Sequence, residues 1–341
     1  MGKAPEIADG PRDRTAQATA MLVLVTLLWG LSFAWMKNWQ EAAQGAPGGP
    51  LLASLTLIAL RMPLALLVLA AWRPRLLTAP TRREHAVGAL IGVTFTAGFV
   101  LQVWGLNWTT PALSAFVTSL GSAWAPMLAW LCFGIRVARW TVLGLVVAVG
   151  GTVVLGLDPG VGWGLGPGEA LTVVASLLFG VQIVLLDRLG KTVRAPHLSV
   201  AFFGVSGVLA LGLAVGRAAS GPGVGEWAQG TLDLLARPRP LLAMGLLILL
   251  PTVLSFYWMN TYQPHVSTGR AALIYLLEPV FAACFSIPFG LDALTWRLAL
   301  GGALILAGNV LVEWRTLTRR SLPAVDAAAH PDCQPEGSGL R

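Results

Sequence analysis

The stretch RAALIYLLEPVFAACFSIPFG, Arg270 to Gly290, puts a carboxylate, Glu278, and then a helix-breaking residue, Pro279, in the middle of an otherwise apolar segment. The segment is about as long as the roughly 20 residues that cross a 30 Å hydrocarbon layer as a helix. Read as a span, it has its charge and its break at the centre of the layer. Nine further apolar runs occur along the chain: 20–38, 51–72, 86–106, 111–133, 140–157, 169–187, 198–216, 241–262 and 294–313. They are continuous rather than alternating, which predicts helices and not a barrel.

Composition agrees with a lipid-embedded chain. Only 11% of the 341 residues are charged and 55% are hydrophobic, and the mean hydropathy is +0.71. Soluble domains carry about 25% charged residues, so this chain has too little polar surface to face water. The expected fold class is an all-α integral membrane protein of ten transmembrane helices. The net charge of +7 does not point to nucleic acid, because the basic residues lie between apolar runs, where they set topology. Lys37, Arg217, Arg237, Arg239 and Arg297 fall on one side of the membrane. The remaining Lys and Arg, apart from Arg61 within the second run, fall on the other. The positive-inside rule then puts both termini in the cytoplasm. The first run, preceded by Lys3, Arg12 and Arg14, reads as a retained span and not as a cleaved leader. Abundant arginine and the lack of a targeting presequence suit the inner membrane of a bacterium.

Cys132, Cys284 and Cys333 have no CxxC spacing, and His85, His197, His265 and His330 lie at segment ends or in the tail. Neither set suggests a metal or a disulfide framework. No Walker motif, HExxH pattern or boundary cluster of His, Asp, Glu and Cys is present, so neither ATP-driven nor enzymatic chemistry is indicated and no catalytic residue, metal or cofactor is expected.

The Gly/Pro-rich stretch Leu157 to Glu169 divides the chain. The expected organisation is a cytoplasmic segment 1–19, a first half 20–157, a linker 158–168, a second half 169–313 and a polar, disordered cytoplasmic tail 314–341. A second Gly/Pro-rich segment, Arg217 to Pro240, carries Trp227 at the interface. Setting Gly134 against Gly290, an offset of 156, matches Ala115 with Ala271, Leu120 with Leu276, Phe133 with Phe289 and Trp140 with Trp296. Five spans per half is odd, so equivalent helices run oppositely. That predicts two inverted five-helix repeats, an arrangement that in secondary transporters puts the site near the midplane.

Three stretches resemble the EamA family of the drug/metabolite transporter superfamily: WGLSFAWMK (Trp29 to Lys37), LQVWGLNWTTPALSAFVTSL (Leu101 to Leu120), and AALIYLLEPVFAACF with the following GLDALTWRLALGGALILAGNVLV. The likeness covers about residues 21–313 in two units. It departs where the family often has Gly-Glu after the fourth and ninth spans, since Ile135-Arg136 and Leu291-Asp292 stand there. The resemblance implies a permease that moves a small metabolite, amino-acid-like, outward across the cytoplasmic membrane by alternating access. Proton-coupled multidrug efflux is the alternative, and a membrane enzyme acting on lipid-linked substrates a distant one. The partners expected are the bilayer and a small-molecule substrate, with the protein a monomer or a homodimer.

Glu278 and Arg61 are charges deep in spans, each costing roughly 2.5–3.5 kcal/mol there, so both should face a cavity and seek a partner. The expectation is that they share the central cavity and pair directly, or through water or substrate. Glu278 is then a candidate proton carrier, while Arg61 favours anionic or zwitterionic substrates. Pro279, Pro126, Pro63 and Pro251 each remove a backbone donor and open the helix around them. Tyr275 shares a face with Glu278, and Ser122 aligns with Glu278 at the offset of 156, with Thr118 one turn before it. Gln182, Trp104, Trp124, Tyr257 and Asn260 complete the candidate pathway residues. Small residues four apart (Gly144/Ala148, Ser176/Gly180, Ala303/Ala307) are expected to allow close helix packing.

Overall fold

The computed structural model describes residues 11–74, 81–134, 137–158, 162–163, 166–190, 193, 195–266 and 268–319. It is helical throughout, apart from two paired two-residue strands in the linker, Leu157–Asp158 and Gly162–Trp163. Among the described residues, eight helical segments are long and apolar enough to cross a membrane. The helices are α1 (Pro11–Ala42), α2 (Gly49–Trp72), α3 (Arg82–Gly105), α4 (Pro111–Thr118), α5 (Leu120–Phe133), α6 (Arg139–Leu155), α7 (Pro167–Leu189), α8 (Ala195–Ala219), α9 (Val224–Leu235), α10 (Pro238–Leu247), α11 (Ser255–Tyr262), α12 (Thr268–Tyr275), α13 (Glu278–Ser286) and α14 (Trp296–Arg319).

Two of the ten apolar runs fall short of a full-length helix. The fifth forms α6, of 17 residues. The ninth is divided at Leu276-Leu277 into α12 and α13. The fourth is also divided, at Ser119 between α4 and α5, and the eighth passes through a π-helical stretch, Ile248–Leu254, around Pro251. Prolines alone do not set these breaks. Pro63 and Pro126 lie inside helices that continue past them, whereas Ser119 has no proline beside it.

Helix bounds exceed the apolar runs most at the two ends of the chain. α1 starts at Pro11 and α14 runs to Arg319, so both extend beyond what the hydrocarbon requires. The tail expected to be disordered lies, from residue 320 onward, outside the described residues. The segment from Arg217 to Pro240, expected to be a loop, contains the helix α9. Trp227 is half-buried there and donates its indole N–H to Thr56 Oγ1 at 2.8 Å.

The outer surface is apolar. Leu67, Leu131, Val146, Val208 and Leu242 are each more than 60% exposed, on α2, α5, α6, α8 and α10. An apolar exterior over a core that holds Arg61, Gln40, Thr252 and Asn309 is the arrangement of a protein dissolved in lipid. The helices make a multi-pass membrane protein.

Packing follows small residues. α6 lies along α14, and a Cβ on Gly144 would stand 2.5 Å from the Gly308 carbonyl oxygen, one on Gly151 2.6 Å from that of Gly301. Only hydrogen fits at these four positions, so the two backbones touch. Gly180 of α7 sits likewise against Trp124 Cβ and the Gly121 carbonyl. Ala303 and Ala307, expected in such an interface, are exposed on the outer face of α14. The contact repeats every seven residues, through Gly301 and Gly308, and not along the stripe containing those alanines. Gly308→Leu is therefore expected to destabilise the protein by about 1–3 kcal/mol, as overpacking of a filled interface does. Ala307→Leu, facing outward, should leave the melting temperature of the detergent-solubilised protein unchanged.

Candidate functional site

α1 is the hub of the interior, packing on α4, α10, α11, α12 and α13. Two adjacent residues on it hold two broken helices. Trp29 donates its indole N–H to the Pro251 carbonyl at 3.0 Å, in the π-helical stretch. Gly30 faces the start of α13 so closely that a Cβ would lie 2.8 Å from the Glu278 carbonyl and 2.7 Å from Phe281 Cβ. This gives a physical reason for Trp-Gly at these positions, the indole as a long-range donor and the glycine as the space for a backbone.

Glu278 is the first residue of α13, half-buried beside this contact. At a helix N-terminus its negative charge is favoured by the aligned peptide dipoles. No hydrogen bond or ion pair reaches its carboxylate among the described residues. Tyr275, at the end of α12, is half-buried; it donates to Gln263 Oε1 at 2.9 Å and stands 5.5 Å from Trp29 between ring centroids.

Arg61 is buried on α2, 5% exposed. The expected direct pairing with Glu278 does not form, and Arg61 turns to neutral groups instead. Its Nε donates to Thr252 Oγ1 at 2.7 Å, Nη1 lies 3.6 Å from Met36 Sδ, and the guanidinium sits 5.3 Å above the Phe99 ring. Thr252 in turn donates to the Leu247 carbonyl at 2.7 Å, the group that Pro251, having no N–H, leaves without its helical donor. One hydroxyl thus repairs the π-helical stretch and orients the arginine.

Aromatic rings join the two charges. Centroid separations are 5.0 Å for Phe99–Phe95, 4.5 Å for Phe95–Phe202, 5.5 Å for Phe202–Phe256, 6.1 Å for Phe256–Trp29 and 5.5 Å for Trp29–Tyr275. The run starts at the ring under Arg61 and ends one turn from Glu278, crossing α3, α8, α11, α1 and α12. Trp29, Phe95, Phe99, Phe202, Phe256, Met36 and Thr252 were not singled out in the sequence, where each is one apolar or small residue among many. The Trp29-Gly30 pair was the available signal.

The other candidates do not converge on this region. Gln102 Nε2 donates to Thr118 Oγ1 at 2.7 Å, Trp124 Nε1 to Ser176 Oγ at 3.1 Å, and Ser122 Oγ to the Ser119 carbonyl at 2.9 Å, all around α4 and α5. Asn309 Nδ2 reaches the same Ser119 carbonyl at 3.2 Å from α14. Asn260 binds Ser199 at 2.8 Å, joining α11 to α8. Tyr257 accepts from Arg73 at 2.9 Å and packs on Trp72, at the end of α2. Trp104 lies 6.0 Å from Trp108 beside the α3–α4 hairpin. Gln182 is half-buried, with no hydrogen bond found among the described residues.

That hairpin is held by three charges. Lys37 Nζ donates to the carbonyls of Leu106 (2.9 Å) and Thr109 (3.0 Å), at the negative end of α3. Glu169 Oε1 accepts from Thr109 Oγ1 at 2.7 Å, and Asp292 Oδ2 from the Ala112 N–H at 2.9 Å, at the positive end of α4. Each charge has the sign its helix end favours.

The EamA-like transporter family matches at residues 17–157 and 166–314. The chain belongs to the EamA-like transporter family. A relative from Archaeoglobus fulgidus, described as an uncharacterized transporter, is 25% identical over 233 residues, covering 67% of this chain and 68% of its own. A solved crystal structure superposes with a TM-score of 0.52 at 21% identity, over 91% of this chain and 99% of that one, a likeness of fold. Asp292, in the pair Leu291-Asp292 where the sequence was expected to depart from the family pattern, caps α4. Lys37→Met is expected to leave two carbonyls of the hairpin without their donor and to cost about 1–3 kcal/mol. The measurement is a lowered midpoint in thermal unfolding, with Lys37→Arg falling between.

Proposed function

We propose that this protein is a secondary transporter that carries a small, amino-acid-like metabolite outward across the cytoplasmic membrane, by alternating access between two inverted five-helix halves, 20–157 and 169–313. The observation that carries this reading is the pair of interior charges, Arg61 and Glu278, which have no ionic partner among the described residues and stand at the two ends of an aromatic run. A protein does not keep such charges in lipid for stability, and intramembrane ionisable groups mark substrate and ion pathways. A zwitterion with an apolar side chain complements both charges and the rings between them.

The repeat draws support from packing. The break at Ser119 and that at Leu276 are 157 residues apart, as are the contact glycines Gly144 and Gly301, and Gly151 and Gly308. Gly180 meets Gly121 and Trp124 as Gly30 meets Glu278 and Phe281, the residues met being again 157 apart and the two glycines 150. The left-handed glycines that end these helices, Gly134 and Gly290, keep the offset of 156. At the packing register Glu278 corresponds to Gly121 rather than Ser122, so the first half has no carboxylate there and the site is asymmetric. The distribution of Lys and Arg supports cytoplasmic termini and an inner-membrane location.

The aromatic run together with an unpaired carboxylate also favours a second reading, efflux of lipophilic cations coupled to protons on Glu278. Counterflow in proteoliposomes tests both, with a panel of labelled amino acids and lipophilic cationic dyes, with and without a pH gradient. Amino acids should exchange and dyes should not; the opposite pattern replaces the first reading with the second. Glu278→Gln should abolish any stimulation by the pH gradient. If that variant transports normally at every pH, Glu278 carries no proton.

A further inference from the structure

We infer that Arg61 is the subsite for a carboxylate of the substrate, with Thr252 as its positioning residue; the inference deepens the transporter reading above and rests on it. Arg61 is 5% exposed, and an arginine side chain is charged at neutral pH. The side chains that contact its guanidinium are neutral: Thr252 from the π-helical stretch, Met36 from α1 and Phe99 from α3. No ion pair to it exists among the described residues. A buried charge without a counter-charge is strongly destabilising, so a group that stays charged in this setting calls for an anion from elsewhere.

The hydrogen-bond polarity says where that anion sits. Thr252 gives its single proton to the Leu247 carbonyl, so towards Arg61 it only accepts, and it accepts from Nε. The Nη pair is left facing away, with Nη1 near a weak sulfur acceptor at 3.6 Å and Nη2 without a partner among the described residues. Two parallel N–H groups in that fork fit the two oxygens of a carboxylate. One cation balances one monoanion, whereas a phosphate, nearly dianionic, would stay half-neutralised.

The second pole of the substrate has a place as well. Met36 beside Arg61 and Gly30 beside Glu278 are on the same helix, and at about 1.5 Å per residue their positions differ by about 9 Å along it. Long side chains reaching from both ends can bracket the short distance between the ammonium and the carboxylate of an α-amino acid. The rings from Phe99 to Tyr275 then receive the apolar side chain.

The test uses the full chain in detergent and in proteoliposomes. In thermal unfolding, 4-methylpentanoate is compared with its amide and with chloride at equal concentration, on the wild type, Arg61→Gln, Arg61→Lys and Thr252→Val. The carboxylate should raise the wild-type midpoint by a few degrees, as binding to the folded state requires, and the amide and chloride should not. Arg61→Gln should lose the response and Arg61→Lys keep a reduced one. Thr252→Val should need a severalfold higher concentration for half the response. If Arg61→Gln fails to fold, Arg61→Lys and Thr252→Val carry the comparison, and responses equal to wild type in both overturn the assignment. Equal stabilisation by carboxylate and amide, or by chloride, also overturns it.

Counterflow of leucine against leucinamide separates this inference from the transport reading. Wild type should favour leucine by about tenfold or more, as a site built for a polar group rejects an analogue lacking it. Equal rates for the two overturn the Arg61 subsite while transport stands. Transport of neither, beside a carboxylate-specific rise that requires Arg61, overturns the amino-acid reading and leaves the subsite in place.

Discussion

Hydrocarbon offers no hydrogen bonds, so every interruption of a helix in this protein must be repaired by the protein itself. The interior is organised by that requirement. The carbonyl of Pro251 takes the Trp29 indole, that of Leu247 the Thr252 hydroxyl, and that of Ser119 the Ser122 hydroxyl and the Asn309 amide. The α3–α4 hairpin takes the Lys37 ammonium on two carbonyls. The Trp29, Asn309 and Lys37 donors come from helices distant in sequence, so those repairs also fix helix-to-helix contacts, whereas the Thr252 and Ser122 hydroxyls act within their own segments. A break is thereby a joint, and the joints lie where the bundle holds its charges.

The glycines serve the same end. Gly30 admits the backbone of α13 and Gly180 that of α5, while Gly144, Gly151, Gly301 and Gly308 let α6 and α14 meet along their lengths. Without a hydrophobic drive between helices in lipid, close backbone approach is the main source of association. Contacts of this kind recur about 157 residues apart, which is what the proposed reading of two related halves draws on. Under that proposal the site is asymmetric, because Glu278 would correspond to Gly121.

Much of this was legible in the sequence for stated physical reasons. Hydropathy fixed the class, since too few polar residues were available to face water. Continuous apolar runs predicted helices, and the Glu278-Pro279 pair marked a real interruption. Proline alone was a poor guide elsewhere, because whether a helix opens depends on what can replace the lost bond. Pro63 is packed against Gly207 inside an intact helix, whereas Ser119, with no proline, is a break whose carbonyl collects the Ser122 N–H and hydroxyl and the Asn309 amide. The stripe Ala303/Ala307 was misplaced because spacing gives a helix face but not the direction in which it points.

The sequence by itself determined that this chain lives in a bilayer, that it is helical, that it belongs with EamA-like transporters, and that two charges lie deep in its spans. Those properties are sums over local composition and short motifs. Only the tertiary structure decided that Arg61 turns to Thr252 and not to Glu278, that Trp29 and Gly30 join two broken helices, and that six rings run between the charges. Those include contacts between residues as far apart in the chain as Gly30 and Phe281. No periodicity along the chain encodes which of several open carbonyls and unpaired charges a distant donor will reach.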